Sequence, residues 1–396
     1  MKILYSHYLS ATDHPAVRMV DAVASELRML GHEVEVHAST PPVRGEAGRS
    51  VQGGRPTLPK RTMWFAKELS RNRAAYRRDA AAIAEFRPDV VLCRQDSYRF
   101  SMPLACRKAK VPVVTYADAP VAYESRHFNP SGRWHPGGLV ERIERWVLSR
   151  SRAVVTVSTP AASILRRYGL RVPIVVAPNG VDVERFHPRS NEERLATRAA
   201  FGVGTPLVAG FVGTFRAFHG LGLLGELIQS TASRADLTWL LVGDGPGREE
   251  LESAVRGLPR VIFTGQQPSQ MVSQLLGTID VLICPHQRAV PEFYFCPLKV
   301  LEGMAAGVPC LASDQGDIPD LLAGAGLTLD TDHPAAWTKA LTSLLDGPKL
   351  RSEMSVAGRM RANRLTWRAT ATAVESVLVT ALKPSAVEGN ATDRVV

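Results

Sequence analysis

Short apolar runs alternate with segments of helical period along almost the whole chain. MKILYSH (1–7) is a short apolar strand. The segment after it places Val17, Val20, Val23, Ala24, Leu27 and Leu30 at helical spacing, with Gly31 as the stop. EVEVHA alternates as a strand, and PDVVLCR, VPVVTYAD, RAVVTVS and PIVVAPNG follow as further strands. Near-continuous apolar strands separated by helices predict a parallel sheet covered on both faces. The pattern then restarts with PLVAGFVGTF, a helix from about Leu221, and LTWLLVGDG, RVIFTGQ, IDVLICP and GVPCLAS, each followed by a helical stretch. The reading is therefore α/β, with one parallel-sheet domain over 1–183, a second over 184–364, a last helix over 365–382 and a polar, small-residue tail over 383–396 expected to be disordered.

Two segments break this alternation. Residues 41–60 are rich in Pro, Gly and Arg and read as a flexible loop. The helix after it gathers Phe65, Leu69, Tyr76 and Ile83 near one face, while Lys67, Arg71, Arg73, Arg77 and Arg78 dominate elsewhere. Such a helix either lies on an anionic membrane surface or is an ordinary amphipathic helix with a solvated basic face.

The bulk numbers add constraints. A chain of 396 residues has room for two or three domains, and 45% hydrophobic with 22% charged residues is ordinary for a globular enzyme. The net charge of +10 favours anionic partners, or reflects arginine used freely on the surface. Cys93, Cys106, Cys284, Cys296 and Cys310 form no C-x-x-C pair, which fits reduced thiols in a cytosolic protein. The first residues lack the apolar run of a signal peptide, and no stretch approaches a membrane span, so a cytoplasmic location is expected, with peripheral contact at the inner membrane face left open.

Candidate chemistry gathers where strands of the second half end, because ligands of open α/β sheets bind outside the strands' carboxyl ends. After the first of these strands, Gly213 and Thr214 offer close backbone approach. Arg216 and His219 stand just before a helix, where an anion is favoured. Arg216 reads as a phosphate ligand or a surface arginine, and His219 as a phosphate ligand or a helix cap. GDGPG (243–247) is not G-x-G-x-x-G and reads as a tight turn. The backbone around Thr264, Gly265 and Gln266 is placed to meet a flat base. The strongest segment is FYFCPLKVLEGMAAGVPCLAS (293–313). Pro297 suits a helix start, Leu298 and Lys299 then present free N–H groups to an anion, and Glu302 one turn later suits the two hydroxyls of a ribose.

These residues carry a resemblance. APNGVDVERFHP (177–188), GFVGTFRAFHG (210–220), LVGDGP, VIFTGQ, DVLICP and PLKVLEGMAAGVPCLAS stand in the order and spacing of retaining GT-B glycosyltransferases of family 4, in the subset with P-L-K in the donor helix. The resemblance implies two Rossmann-like domains facing a cleft, the first for the acceptor and the second for the donor, with the C-terminal helix crossing back to the first. It implies sugar transfer from a UDP- or GDP-sugar to an acceptor hydroxyl, the acceptor being a saccharide, a lipid-linked compound or a small metabolite. No metal or other cofactor is implied. Retention is attributed to same-face attack, which needs no enzymatic nucleophile.

The family's E-x7-E motif maps onto Tyr294 and Glu302. The resemblance places Glu302 on the ribose and Tyr294 beside the sugar ring, with a hydroxyl where an acid is usual. His219 takes the family's lysine place, which implies a phosphate ligand that works best protonated, and Arg216 stands near the usual arginine. Asp118 is the implied acceptor-orienting group, preceded by Ala117 where His is common. Arg216, His219 and the Leu298 and Lys299 amides would stabilise the departing diphosphate, and removing one such donor raises the barrier by roughly 3 kcal/mol. A non-catalytic binding subunit and a nucleotide-sugar epimerase are the alternatives. No nucleic-acid recognition motif is present.

Overall fold

A computed structural model describes residues 1–9, 15–40, 58–127, 137–287 and 291–383. The loop expected over 41–60 and the tail expected from 383 lie almost wholly outside these residues. The chain divides into two compact units, Met1–Pro178 with the segment from Arg368 onward, and Asn179–Trp367. The sequence set these divisions at 183 and 364. Both segments near the boundary belong to the second unit because they pair there: Val181 donates to the Leu365 carbonyl at 2.9 Å and bridges Thr366.

The first unit runs β1 (Lys2–His7), α1 (Pro15–Met29), β2 (Glu33–Ala38), α2 (Leu58–Phe86), β3 (Val90–Arg94), α3 (Ser101–Ala109), β4 (Val113–Ala117), α4 (Val121–His127), α5 (Gly137–Leu148), β5 (Ala153–Thr156), α6 (Thr159–Arg166) and β6 (Ile174–Val176). Its sheet has the order β2-β1-β3-β4-β5-β6, every pair parallel. In register, Ser6 faces Cys93 and Arg94 faces Tyr116, so β1, β3 and β4 end side by side at His7, Arg94 and Ala117.

The second unit holds α7 (Asn191–Ala200), β7 (Leu207–Val212), α8 (Leu221–Ser230), β8 (Leu237–Val242), α9 (Arg248–Ala254), β9 (Val261–Gly265), α10 (Ser269–Gly277), β10 (Val281–Cys284), α11 (Leu298–Ala305), β11 (Cys310–Ser313), α12 (Ile318–Leu322), β12 (Gly326–Leu329), α13 (Pro334–Asp346) and α14 (Pro348–Ala362). Its sheet order is β12-β11-β10-β7-β8-β9, again parallel. The core lies between sheet and helices, with Phe211, Trp239, Ile283 and Trp337 all buried in one cluster.

The last helix, α15 (Trp367–Ala381), packs within the first unit. Glu375 meets His32 at 2.7 Å, and the Thr370 hydroxyl donates to the Pro178 carbonyl at 2.7 Å. On α2, Tyr76 packs against the core cluster that contains Ile83, while Lys67, Arg71, Arg73 and Arg77 are exposed. The Tyr76 and Ile83 part of that face is packed in the protein interior; the Phe65 and Leu69 side chains lie outside the described residues. Among the described residues no helix is long and apolar enough to cross a membrane.

One buried carboxyl ties α5 to α4. Glu144 accepts the Val121 and Ala122 N–H groups at 2.9 Å each and the Tyr168 hydroxyl at 3.0 Å. Burial outweighs these bonds and pushes its pKa from 4.5 up to about 7. The folded state therefore holds this proton more tightly than the unfolded state. The resulting stability, at most about 3 kcal/mol, is complete below the unfolded value and is lost as pH rises through 7. Urea midpoints of the parent are expected to fall between pH 5 and 8, with Glu144→Gln removing that part of the slope.

Candidate functional site

The second unit's carboxyl edge brings together three loops, those after β7, β8 and β9. The Gly213 N–H donates to the Val242 carbonyl and the Gly243 N–H to the Gly265 carbonyl, both at 3.0 Å. Gly243 has φ +120°, and a Cβ there would stand 1.9 Å from the Gly213 oxygen. The GDG turn is thus the socket that seats the Gly213–Thr214 loop, in keeping with its structural reading. Phe215 then adopts φ +43° with its ring wholly buried, which leaves Thr214 and Arg216 exposed on either side. A left-handed aromatic is costly and persists because Phe215 is locked edge-on against Phe211, centroids 5.3 Å apart.

His219 closes a 3₁₀ turn, Ala217–His219, just before α8. It is buried, with 6% of its surface exposed. Burial, assisted by Lys299, His286 and Arg216, drives its pKa far below the ordinary histidine range. The Arg216 N–H donates to its Nδ1 at 3.3 Å. His219 is therefore a neutral imidazole carrying its proton on Nε2. Desolvation and neighbouring cations thus oppose, in the absence of an anion, the charge that the sequence implies for His219 as a phosphate ligand. The histidine can still donate one hydrogen bond, and its role should not fade as pH rises through 6.5, the ordinary imidazole value.

The α11 segment supplies the other half. Pro297 sits at the N-cap with ψ 111°, just outside the helix rather than in its first turn. The Val300 N–H donates to the Pro297 carbonyl at 3.1 Å, while the Leu298 and Lys299 N–H groups make no bond to a described backbone carbonyl. Amides left unbonded at the start of a helix are able to accept an anion. Glu302 is half-buried on the following turn and near enough to Lys299 to raise that residue's pKa. Gly303 lets α11 press on the sheet, since a Cβ there would meet Leu282 Cδ2 at 2.7 Å.

Tyr294 behaves differently from its sequence reading. It is 0% exposed, and its ring lies against Phe295, centroids 4.2 Å apart. Phe295 stacks on Phe218 at 5.2 Å, and His286 contacts both Phe293 and His219. An aromatic chain therefore fastens the approach to α11 onto the loop after β7. Tyr294 is part of that fastening and presents no hydroxyl to an open space beside a sugar.

Sequence reasoning credited Lys299 only with its amide. The side chain folds back under the loop after β7. Its Nζ lies 4.6 Å over the Phe211 ring, and 3.1 Å from where a Cβ on Gly213 would stand. It is shut off from solvent with no hydrogen-bond partner among the described residues. The signal was present in LKVLEGMA, where Lys299 and Glu302 are the only charged residues of the helix.

Around β9 the carbonyls are partly spent. Gly265 O accepts from Gly243 and from the Thr264 hydroxyl at 3.0 Å, and Thr264 O from Gln267 Nε2 at 2.7 Å. Gln266 is exposed.

In the first unit, Asp118 is an ion-paired carboxylate. Arg94 reaches one of its oxygens with Nε at 3.1 Å and Nη2 at 2.8 Å, and each side chain is 13% exposed. Asp118, the residue expected to orient the acceptor, is thus held in place by Arg94. On the neighbouring strand end, His7 Nδ1 accepts the Leu9 N–H at 3.2 Å, and burial lowers its pKa to about 4. Asp118→Ala strands the buried guanidinium and is expected to cost about 3 kcal/mol. Denaturant unfolding should show this loss, and Arg94→Met with Asp118→Leu should recover most of it.

Comparison with known proteins bears on the whole chain. The Glycosyltransferase Family 4 model matches residues 16–185, and the Glycosyl transferases group 1 model matches 206–347. A GDP-mannose-dependent alpha-mannosyltransferase of Mycolicibacterium smegmatis is 31% identical over 87% of this chain and 88% of that protein. A 2-deoxystreptamine glucosyltransferase of Streptomyces kanamyceticus is 32% identical over 54% of this chain and 56% of its own. Among solved structures, sucrose-phosphate synthase of Thermosynechococcus elongatus has a TM-score of 0.71 at 16% identity, covering 96% of this chain and 99% of that one. Anabaena HepE in complex with UDP and glucose has a TM-score of 0.69 at 17% identity, covering 96% and 100%.

Proposed function

Since the chain belongs to glycosyltransferase family 4 and has the GT-B fold, we propose that it moves a hexose from a nucleoside-diphosphate sugar to an acceptor hydroxyl, with retention and without a metal ion. The observation that carries this reading is the start of α11, where the unbonded amides of Leu298 and Lys299 share one corner of the second unit with the Gly213–Thr214 loop. That corner suits a diphosphate, and Glu302 one turn on suits the adjoining ribose. Arg216, exposed, and His219, as a neutral Nε2–H donor, supply further hydrogen bonds to the leaving group.

GDP-mannose is the first donor to test, because the mannosyltransferase relative matches across most of the chain. The acceptor is a saccharide, a lipid-linked compound or a small metabolite, and the first unit is its proposed binding domain. The exposed arginines of α2 are the proposed contact with an anionic membrane at the cytoplasmic face.

Thermal melting against GDP, UDP, GDP-mannose and UDP-glucose, with chelator present, tests the donor site. A nucleotide at a hundred times its Kd should stabilise the protein by about 2.7 kcal/mol. No response to any of the four overturns the reading. Diphosphate release with an acceptor extract distinguishes a transferase from a binding subunit. The anomeric coupling of the product by NMR tests retention, and an inverted product contradicts it.

A further inference from the structure

We propose that Lys299, through its side-chain ammonium, is the cation that neutralises the diphosphate, taking over the charge that position 219 does not carry. This rests on the donor-site reading above and goes beyond it in naming the residue that holds the charge.

The argument begins with cost. A lysine ammonium shut off from solvent and left without a hydrogen bond is strongly unfavourable. Lys299 is in that condition: its Nζ has no hydrogen-bond partner among the described residues, lies 4.6 Å over the Phe211 ring and abuts Gly213. A cation–π contact offsets only part of that cost. The side chain points under the Gly213 loop, and the same residue's backbone N–H is one of the two at the start of α11, Leu298 and Lys299, that make no bond to a described backbone carbonyl. An anion placed on those amides would give the ammonium the partner it lacks.

The groups around it agree. His219 and His286 both face Lys299 and are held neutral, with burial as the main cause in each. Arg216 is cationic but exposed, where water screens it. Glu302 and Cys284 exert the opposing influence, favouring the ammonium. Burial wins, and the Lys299 pKa falls from 10.5 to about 8. A diphosphate arriving beside it would raise that value again, so binding above pH 8 should draw a proton onto Lys299.

A strut and a ligand make opposite predictions for Lys299→Met, which keeps the stem length and removes the charge. As a ligand, the lysine destabilises the empty protein, so the variant should melt higher than the parent. Calorimetric titration of the full chain should show GDP or UDP, whichever the parent binds, weakened about 100-fold. The matching nucleoside should change less than about threefold. From pH 7.5 to 9.0 the parent's Kd should climb toward tenfold per unit, with proton uptake in buffers of different ionisation enthalpy. The variant should show neither, the nucleotide's own titration being common to both. Lys299→Gln serves as the second variant if the methionine chain fails to fold. Unweakened nucleotide binding in the variants, a lower melting point with nucleoside affinity also lost, or identical pH dependence would each overturn the proposal. A parent that binds no nucleoside diphosphate at all would instead overturn the donor-site reading.

Discussion

Replacing Gly243 with alanine is expected to destabilise the second unit by on the order of 4 kcal/mol and to carry nucleotide affinity below detection. Two costs add. Its φ of +120° lies where side chains rarely go, worth about 1–3 kcal/mol. The new methyl would also stand 1.9 Å from the Gly213 oxygen, a backbone atom that moves only if the loop after β7 moves with it. That loop places Thr214 and Arg216, and Gly243 is also bonded to Gly265. One methyl therefore disturbs all three loops of the carboxyl edge. Denaturant unfolding measures the first effect and calorimetry with GDP or UDP the second. Parent-like stability with intact binding would show that the GDG turn does not seat the loop.

The alternation of apolar strands and helical segments predicted every strand of both sheets except β12. GLTL (326–329) follows a small-residue stretch and lies at the sheet edge, so neither its length nor its apolar content marked it. The places of Glu302, the α11 start and the loop after β7 in the fold were legible because a strand end, a proline and a helix start are local signals. What escaped was set by burial. His219 reads as a phosphate cation until the packing of Phe211, Phe218 and His286 around it makes a charge unfavourable. Tyr294 reads as a sugar contact until its ring is found inside an aromatic chain. Lys299 reads as backbone until its stem is seen to fold under Gly213. The pairing of Arg94 with Asp118 joins two strands that are neighbours only in the sheet. In each case the deciding quantity is access to water, which depends on residues far away in sequence.

Glu302→Ala is expected to lower kcat/KM for the donor about 10³-fold. A carboxylate that accepts from two vicinal hydroxyls makes two charge-assisted bonds, each worth about 1.5–3 kcal/mol, and about 4 kcal/mol in all corresponds to that factor. Glu302→Gln keeps one acceptor and should lose roughly 10-fold to 30-fold on the same scale. Activity alone would not separate ribose contact from an effect on Lys299, since the Glu302 carboxylate also favours that ammonium. The 2′,3′-dideoxy nucleotide separates them. The parent should bind it far more weakly than the ribonucleotide, whereas Glu302→Ala should bind the two alike, because the hydroxyls have lost the partner that read them. A change acting only through Lys299 would weaken both nucleotides by the same factor and leave their ratio as in the parent. Parent-like turnover by Glu302→Ala, or an unchanged ratio, would remove the ribose from α11 and with it the placement of the diphosphate at that helix start.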